Sequence, residues 1–144
     1  MRITTMVLLG FGWSLMHGPH DAIAASDDAS ATKLFDIKSF GAIGDGVAME
    51  TQSIQDSIDA CHDAGGGIVR VPAGDFQIGT IILKSNVTLS LDYGASLLGS
   101  TNVADYPTEN LSRPREGAAH CLIYAENAKN ITIEGLGVID GRGT

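Results

Sequence analysis

The sequence predicts an all-β solenoid, a parallel β-helix whose first coil is closed by one N-terminal α-helix. Three observations carry the solenoid reading. Helical periodicity occurs once, in residues 49–67, and short alternating strands separated by Gly and Asn follow it. Asn86-Val-Thr-Leu and Asn130-Ile-Thr-Ile then repeat Asn-apolar-Thr-apolar 44 residues apart, and the strand at Ile68 precedes the one at Val87 by about half that interval. Spacings of about 20 to 25 residues suit stacked coils, with the longer interval read as two turns. Finally, 18 glycines in 144 residues exceed the ordinary share of about 7%, as many tight corners require.

Taken in order, residues 1–25 read as a secretory signal peptide. Arg2 supplies a positive charge, Met6 to Met16 is an apolar run, and Ala22-Ile23-Ala24 is a small-residue cleavage site. A core helix is the alternative, but Gly10, Gly12 and Gly18-Pro19 would break it. The run is too short to span a membrane. Residues 26–33 are a polar linker, and residues 34–144 hold the solenoid. In the helix, Ile54, Ile58 and Cys61 fall at i, i+4 and i+7, while Gln52, Asp56, Asp59 and Asp63 take the other side. Thr51 is the expected cap and Gly65-Gly66-Gly67 the stop.

The strands that follow alternate. Val69 and Val71 face inward with Arg70 opposite, then Ile81 and Leu83 with Lys84 opposite, then Val87, Leu89 and Leu91 with Thr88, Ser90 and Asp92 outward. Residues 121–126 continue the pattern, as do Ile131 and Ile133, inward, with Thr132 and Glu134 outward. Val138-Ile139 starts another strand, and the sequence stops within the pattern rather than on a closing cap. A β-sandwich would need two-residue hairpins. The two Asp-Gly pairs, Asp45-Gly46 and Asp140-Gly141, join no two obvious strands.

Composition excludes several functions. The net charge is −8 with no Lys/Arg cluster, so a nucleic-acid partner is not expected. Cys61 and Cys121 both read as inward-facing free thiols rather than a disulfide, and their neighbours suggest no zinc site. The glycines of Gly41-Ala-Ile-Gly-Asp-Gly46 are turn residues, since no Lys-Ser/Thr follows to make a phosphate loop. Of three Asn-x-Ser/Thr sequons, Asn86 and Asn130 occupy equivalent places, where a ladder of side-chain hydrogen bonds is the better account than glycosylation; the third is Asn110. His62 and His120 have no visible partner, no carboxylates stack in repeat register, and Asp140 is alone. The sequence therefore nominates no catalytic, cofactor-binding or metal-binding residues. The stretch from Ser100 to Ala119 reads as a long loop, in which Arg113 and Arg115 could meet substrate carboxylates, although a solvated loop tip is the simpler reading.

Together, the segments FGAIGDG, TQSIQDSIDAC, GGGIVRVPAGDFQIGTIILKSNVTLSLDYGASLLGS, DYP and LIYAENAKNITIEGLGVIDGRG resemble the N-terminal part of the polygalacturonase family, glycoside hydrolase family 28. The resemblance runs from about Phe35 to Gly143. Its front half is shared with the wider pectate-lyase-like superfamily, and the GVIDGRG ending favours family 28. It implies a right-handed parallel β-helix, truncated here at its C-terminal end, that hydrolyses α-1,4-galacturonan or a related pectic polysaccharide with carboxylic acids and no metal or other cofactor. The family's Asn-Thr-Asp, Asp-Asp, Gly-His-Gly and Arg-Ile-Lys motifs are absent, which implies catalytic residues downstream of Thr144 and an inactive fragment. The expected enzyme is a secreted or periplasmic monomer whose partner is the pectic polysaccharide, with no membrane span. Two rivals remain open: a lyase or epimerase of the same superfamily, and a non-enzymatic β-helix that binds carbohydrate.

Overall fold

The computed structural model describes residues 32–106 and 120–143. The signal-peptide reading, Asn110, Arg113 and Arg115 lie outside the described residues. Among those described, ten strands and one α-helix build three parallel ladders. The first sheet stacks β1 (Leu34–Asp36), β3 (Gly67–Val71), β6 (Val87–Leu91) and β9 (Thr132–Gly135) in that order. The second stacks β2 (Asp45–Met49), β4 (Gly74–Ile78), β7 (Ala95–Gly99) and β10 (Val138–Asp140), and the third pairs β5 (Ile81–Leu83) with β8 (Ile123–Ala125). Chain order runs sheet one, sheet two, sheet three and back, which is the winding of a parallel β-helix.

The register corrects the coil length. Val69 pairs with Leu89 and Phe76 with Leu97, the short step of an unadorned coil. Leu89 pairs directly with Ile133, however, and Ile81 with Ile123. The interval between Asn86 and Asn130 is thus one coil carrying an excursion of about a coil's length, not two turns. The Asn-apolar-Thr-apolar signal marks successive rungs, and it cannot show how much chain lies between them.

Inward positions fill the core as the alternation requires. Val69, Val71, Ile81, Val87, Leu89 and Leu97 are fully buried, and each such side chain contributes roughly 1.5–3 kcal/mol of burial free energy. Phe76 and Leu97 come from β4 and β7, two strands not expected from the sequence. Their segments, Gly-Asp-Phe-Gln-Ile and Ala-Ser-Leu-Leu-Gly, mix apolar and polar residues with glycine at one end. Ile133 keeps the expected facing by stacking on Leu89, yet it is 44% exposed. Among the described residues no strand pairs with the far side of β9.

The helix α1 (Thr51–Asp63) buries Ile54, Ile58 and Cys61 against the first coil. Its cap differs from expectation. Glu50 holds the N-cap position without capping the helix through its side chain. Its buried carboxylate instead accepts from the backbone N–H of Ile43 at 2.8 Å and Gly44 at 3.3 Å, closing the glycine-rich turn. Thr51 Oγ1 accepts from Gly79 N at 2.8 Å, pinning the helix to the coil. Gln55 completes the closure. Its Oε1 accepts from Ile82 N at 2.8 Å and its Nε2 donates to Ile82 O at 3.1 Å, so one amide satisfies both backbone groups on the open edge of β5, as a neighbouring strand would.

Asparagines and glycines take the corners. Asn86 and Asn130 have positive φ (64° and 55°), and Asn130 Nδ2 donates to Asn86 Oδ1 at 2.9 Å. The ladder expected from the sequence is present. On the outer face of sheet one, Arg70 bridges Asp92 (2.6 Å) and Asp36 (3.3 Å) across neighbouring coils. Cys61 and Cys121 are free thiols, and burial pushes the Cys61 thiol up from its ordinary pKa.

Candidate functional site

β7 and β10 end side by side, and the excursion leaves from the end of β7. Asp140 pairs with Leu98, which brings Gly141 beside Gly99. A Cβ on Gly99 would lie 2.8 Å from Gly141 O and 3.0 Å from Tyr106 Oη, so the close approach requires glycine there. Ser100 follows and is buried. Its hydroxyl donates to the Asp105 carboxylate and accepts from Asn102 N at 3.1 Å, while Asn102 Oδ1 caps Ala104 N at 3.1 Å. These bonds fold the foot of the excursion into a short 3₁₀ turn (Val103–Asp105).

That turn delivers Tyr106, whose hydroxyl donates to Ser100 O at 2.7 Å. The returning chain brings His120 edge-on to the Tyr106 ring, at a centroid distance of 6.3 Å and an interplanar angle of 73°. Between these elements lies an open concavity of about 380 Å³. Ser100, Thr101, Tyr106 and His120 line it together with residues 141–143, and Leu122 contributes an apolar surface. Burial pushes the Tyr106 phenol up, Asp105 adds to the rise, and the Arg142 charge opposes it.

Arg142 is conformationally unusual. Its φ is +47°, and the other non-glycine residues with positive φ among those described are Asn86, Asn127 and Asn130. The Asp140 carboxylate accepts from Arg142 N at 2.8 Å and helps hold this corner, so Asp140 has a structural task. The sequence draws attention to Arg113 and Arg115 rather than to Arg142. The available signal is an arginine between two glycines directly after a strand. His120 has a partner in Tyr106, and His62 Nδ1 lies 2.9 Å from Ser85 O; both contacts join residues too far apart in the chain for spacing to reveal.

One acid pair does stack, contrary to expectation. Asp45 and Asp75 are register partners on β2 and β4. Asp45 Oδ1 accepts from Val47 N at 2.9 Å and Ala48 N at 2.8 Å, and these bonds hold its carboxyl below the usual range. Those two backbone bonds give the Asp45 carboxylate a structural task, fixing the start of β2. Among the described residues, no group of three or more His, Cys, Asp or Glu is placed to hold a metal ion.

An exo-poly-α-D-galacturonosidase of Dickeya chrysanthemi is 42% identical over 121 residues, covering 77% of this chain and 20% of the relative. The family 28 exopolygalacturonase of Yersinia enterocolitica superposes with a TM-score of 0.66 at 38% identity, over 78% of this chain and 21% of that structure. The chain is a homologue of the family 28 polygalacturonases. A mannuronan C5-epimerase of Azotobacter vinelandii is 36% identical over 117 residues, covering 74% of this chain and 8% of the epimerase. No family model matches the chain. This polygalacturonase homologue thus spans about a fifth of the length of the Dickeya and Yersinia enzymes.

Proposed function

We propose that the protein is a polygalacturonase-type glycoside hydrolase that cleaves α-1,4-galacturonan or a related pectic polysaccharide. The observation that carries this is the 42% identity with the Dickeya galacturonosidase over 77% of the chain. The reaction needs two carboxyl groups held across the scissile bond, roughly 5–10 Å apart according to mechanism. In this reading the catalytic acids belong to the part of the family's length that this chain does not span. The 144 residues by themselves hydrolyse nothing. Residues 1–25 act as an export signal and residues 26–33 as a linker, which makes the enzyme secreted or periplasmic; no helix among the described residues is long and apolar enough to cross a membrane. It works as a monomer.

Reducing-sugar release from polygalacturonate, by the full-length protein and by residues 26–144, tests this reading. Activity in the first and none in the second is expected; turnover by the short chain would overturn the placement of the acids. The epimerase relative supports a second reading, uronan epimerisation or elimination. Altered uronate configuration without chain cleavage, or unsaturated ultraviolet-absorbing ends, would establish it instead. An intact Met1 on the exported protein would refute the signal.

A further inference from the structure

We propose that the concavity between the ends of β7 and β10 is a binding subsite for a uronate residue, with Arg142 taking the sugar carboxylate. The inference rests on the galacturonan reading for its natural ligand, but its argument comes from the charges. With a net charge of −8, the chain repels a polyanion, and binding one requires a cation that no other protein group already holds. Among the described residues, Arg70 is tied to Asp36 and Asp92, Lys84 pairs with Asp59, and Lys33 Nζ donates to Ala64 O. Lys38, Lys129 and Arg142 remain, and of these three it is Arg142 that lines the concavity.

The backbone supports the assignment independently. A left-handed corner favours Gly or Asn, and the other non-glycine residues with positive φ among those described are all Asn. An arginine kept there costs conformational energy that a glycine, like its neighbours Gly141 and Gly143, would not, which is how strain at a binding site looks. The surrounding wall fits a sugar. A volume of about 380 Å³ lies at the small end of the roughly 300–1,000 Å³ typical of ligand sites, enough for one pyranose. Leu122 and the Tyr106 ring offer apolar surface to sugar C–H groups, while the Thr101 hydroxyl and the His120 ring can bond sugar hydroxyls. The Ser100 and Tyr106 hydroxyls already donate to Asp105 and Ser100 O, so they shape the wall and leave the carboxylate to Arg142.

Arg142→Asn removes the charge while tolerating the left-handed φ, and Arg142→Lys keeps the charge. Lys38→Ala serves as an exposed-cation control away from the site. Calorimetric titration of the full-length protein with oligogalacturonate should show R142N binding about tenfold weaker or worse, as loss of a charge-assisted contact implies. R142K should recover part of that loss, K38A should match wild type, and a neutral galacto-oligosaccharide should not distinguish the variants. With polygalacturonate as substrate, R142N should raise KM and leave kcat nearly unchanged. R142N binding within about twofold of wild type, at an unchanged thermal midpoint and circular dichroism, would overturn the subsite. Should wild type leave polygalacturonate intact, the galacturonan reading fails separately. Oligomannuronate and oligoguluronate then replace the probe, and a protein that binds no uronate, or binds one regardless of Arg142, overturns the subsite too.

Discussion

Replacing Gln55 with alanine should open the edge that the helix closes. The amide makes two bonds to one residue of β5, accepting from Ile82 N at 2.8 Å and donating to Ile82 O at 3.1 Å. Each such bond contributes about 0.5–1.5 kcal/mol net, so their joint loss should cost about 1–3 kcal/mol. Alanine is the better helix former by a few tenths of a kcal/mol, which makes the observed loss an underestimate. Gln55→Glu separates the two bonds: a carboxylate can accept from Ile82 N but cannot donate to Ile82 O. It would also face Asp59, whose Oδ1 now accepts from Gln55 Nε2 at 2.8 Å. Urea unfolding of the full-length protein, followed by far-ultraviolet circular dichroism, measures both variants. With a slope of about 2 kcal/mol/M, a loss of about 2 kcal/mol lowers the midpoint by about 1 M. A Q55A midpoint within about 0.2 M of wild type at unchanged slope would refute the edge-capping argument. A Q55E protein as stable as wild type would refute the donor half of it.

Leu89 lies in register between Val69 and Ile133 and is fully buried. Leu89→Ala should cost about 2–5 kcal/mol in chemical denaturation, while Thr88→Ala on the opposite face should stay within about 0.5 kcal/mol; equal costs would mean the facing is wrong. Asn130→Gly keeps the positive φ and removes the ladder bond, for about 0.5–1.5 kcal/mol beyond the chain entropy that glycine adds, and Asn130→Ala should lower the thermal midpoint further because it adds backbone strain. For Asp45, whose folded pKa is depressed, the stabilisation is present above the ordinary carboxylate pKa and lost as pH falls through the lowered value. Asp45→Asn should therefore flatten the acid limb of a stability-against-pH curve, and an unchanged acid limb would show that its two backbone bonds are not coupled to folding.

Much of the fold was legible because the solenoid is written locally. Ile54, Ile58 and Cys61 define a buried stripe by spacing alone, and Val87, Leu89 and Leu91 define a face by alternation. Asn86 and Asn130 announced the ladder because a positive φ before a strand restricts residue choice to a few types. The rest needed information that spacing does not contain. Nothing in Asn130-Ile-Thr-Ile says whether one coil or two separate it from Asn86, since register depends on where the chain returns and not on how far it travels. Thr51 suits a helix cap, yet its hydroxyl is taken by Gly79 N and Glu50 stands at the N-cap with its carboxylate on Ile43 and Gly44, partners up to 28 positions away. The concavity was hidden for the same reason: Tyr106, His120 and Arg142 meet only after β10 has stacked on β7.

The unequal coils explain how this architecture can carry a site. The first complete coil passes from β5 to β6 through Lys84, Ser85 and Asn86 and closes at once, with Leu89 in register on Val69. The second leaves β7 at Ser100 and rejoins at β8 with Ile123 in register on Ile81. The ladder is indifferent to that detour, because its hydrogen bonds and core contacts are made by the strands on either side. Loop closure adds little, about 0.6 kcal/mol for each doubling of loop length. A solenoid can therefore lengthen one corner without disturbing the coils above and below, and chemistry can be added there at small cost in stability. In this chain the extended corner leaves β7 at the point where β10 turns through Arg142. The residues that shape the concavity are thus carried by two paired strand ends, Gly99 and Asp140, and the backbone corner that bears Arg142 is held by the Asp140 carboxylate.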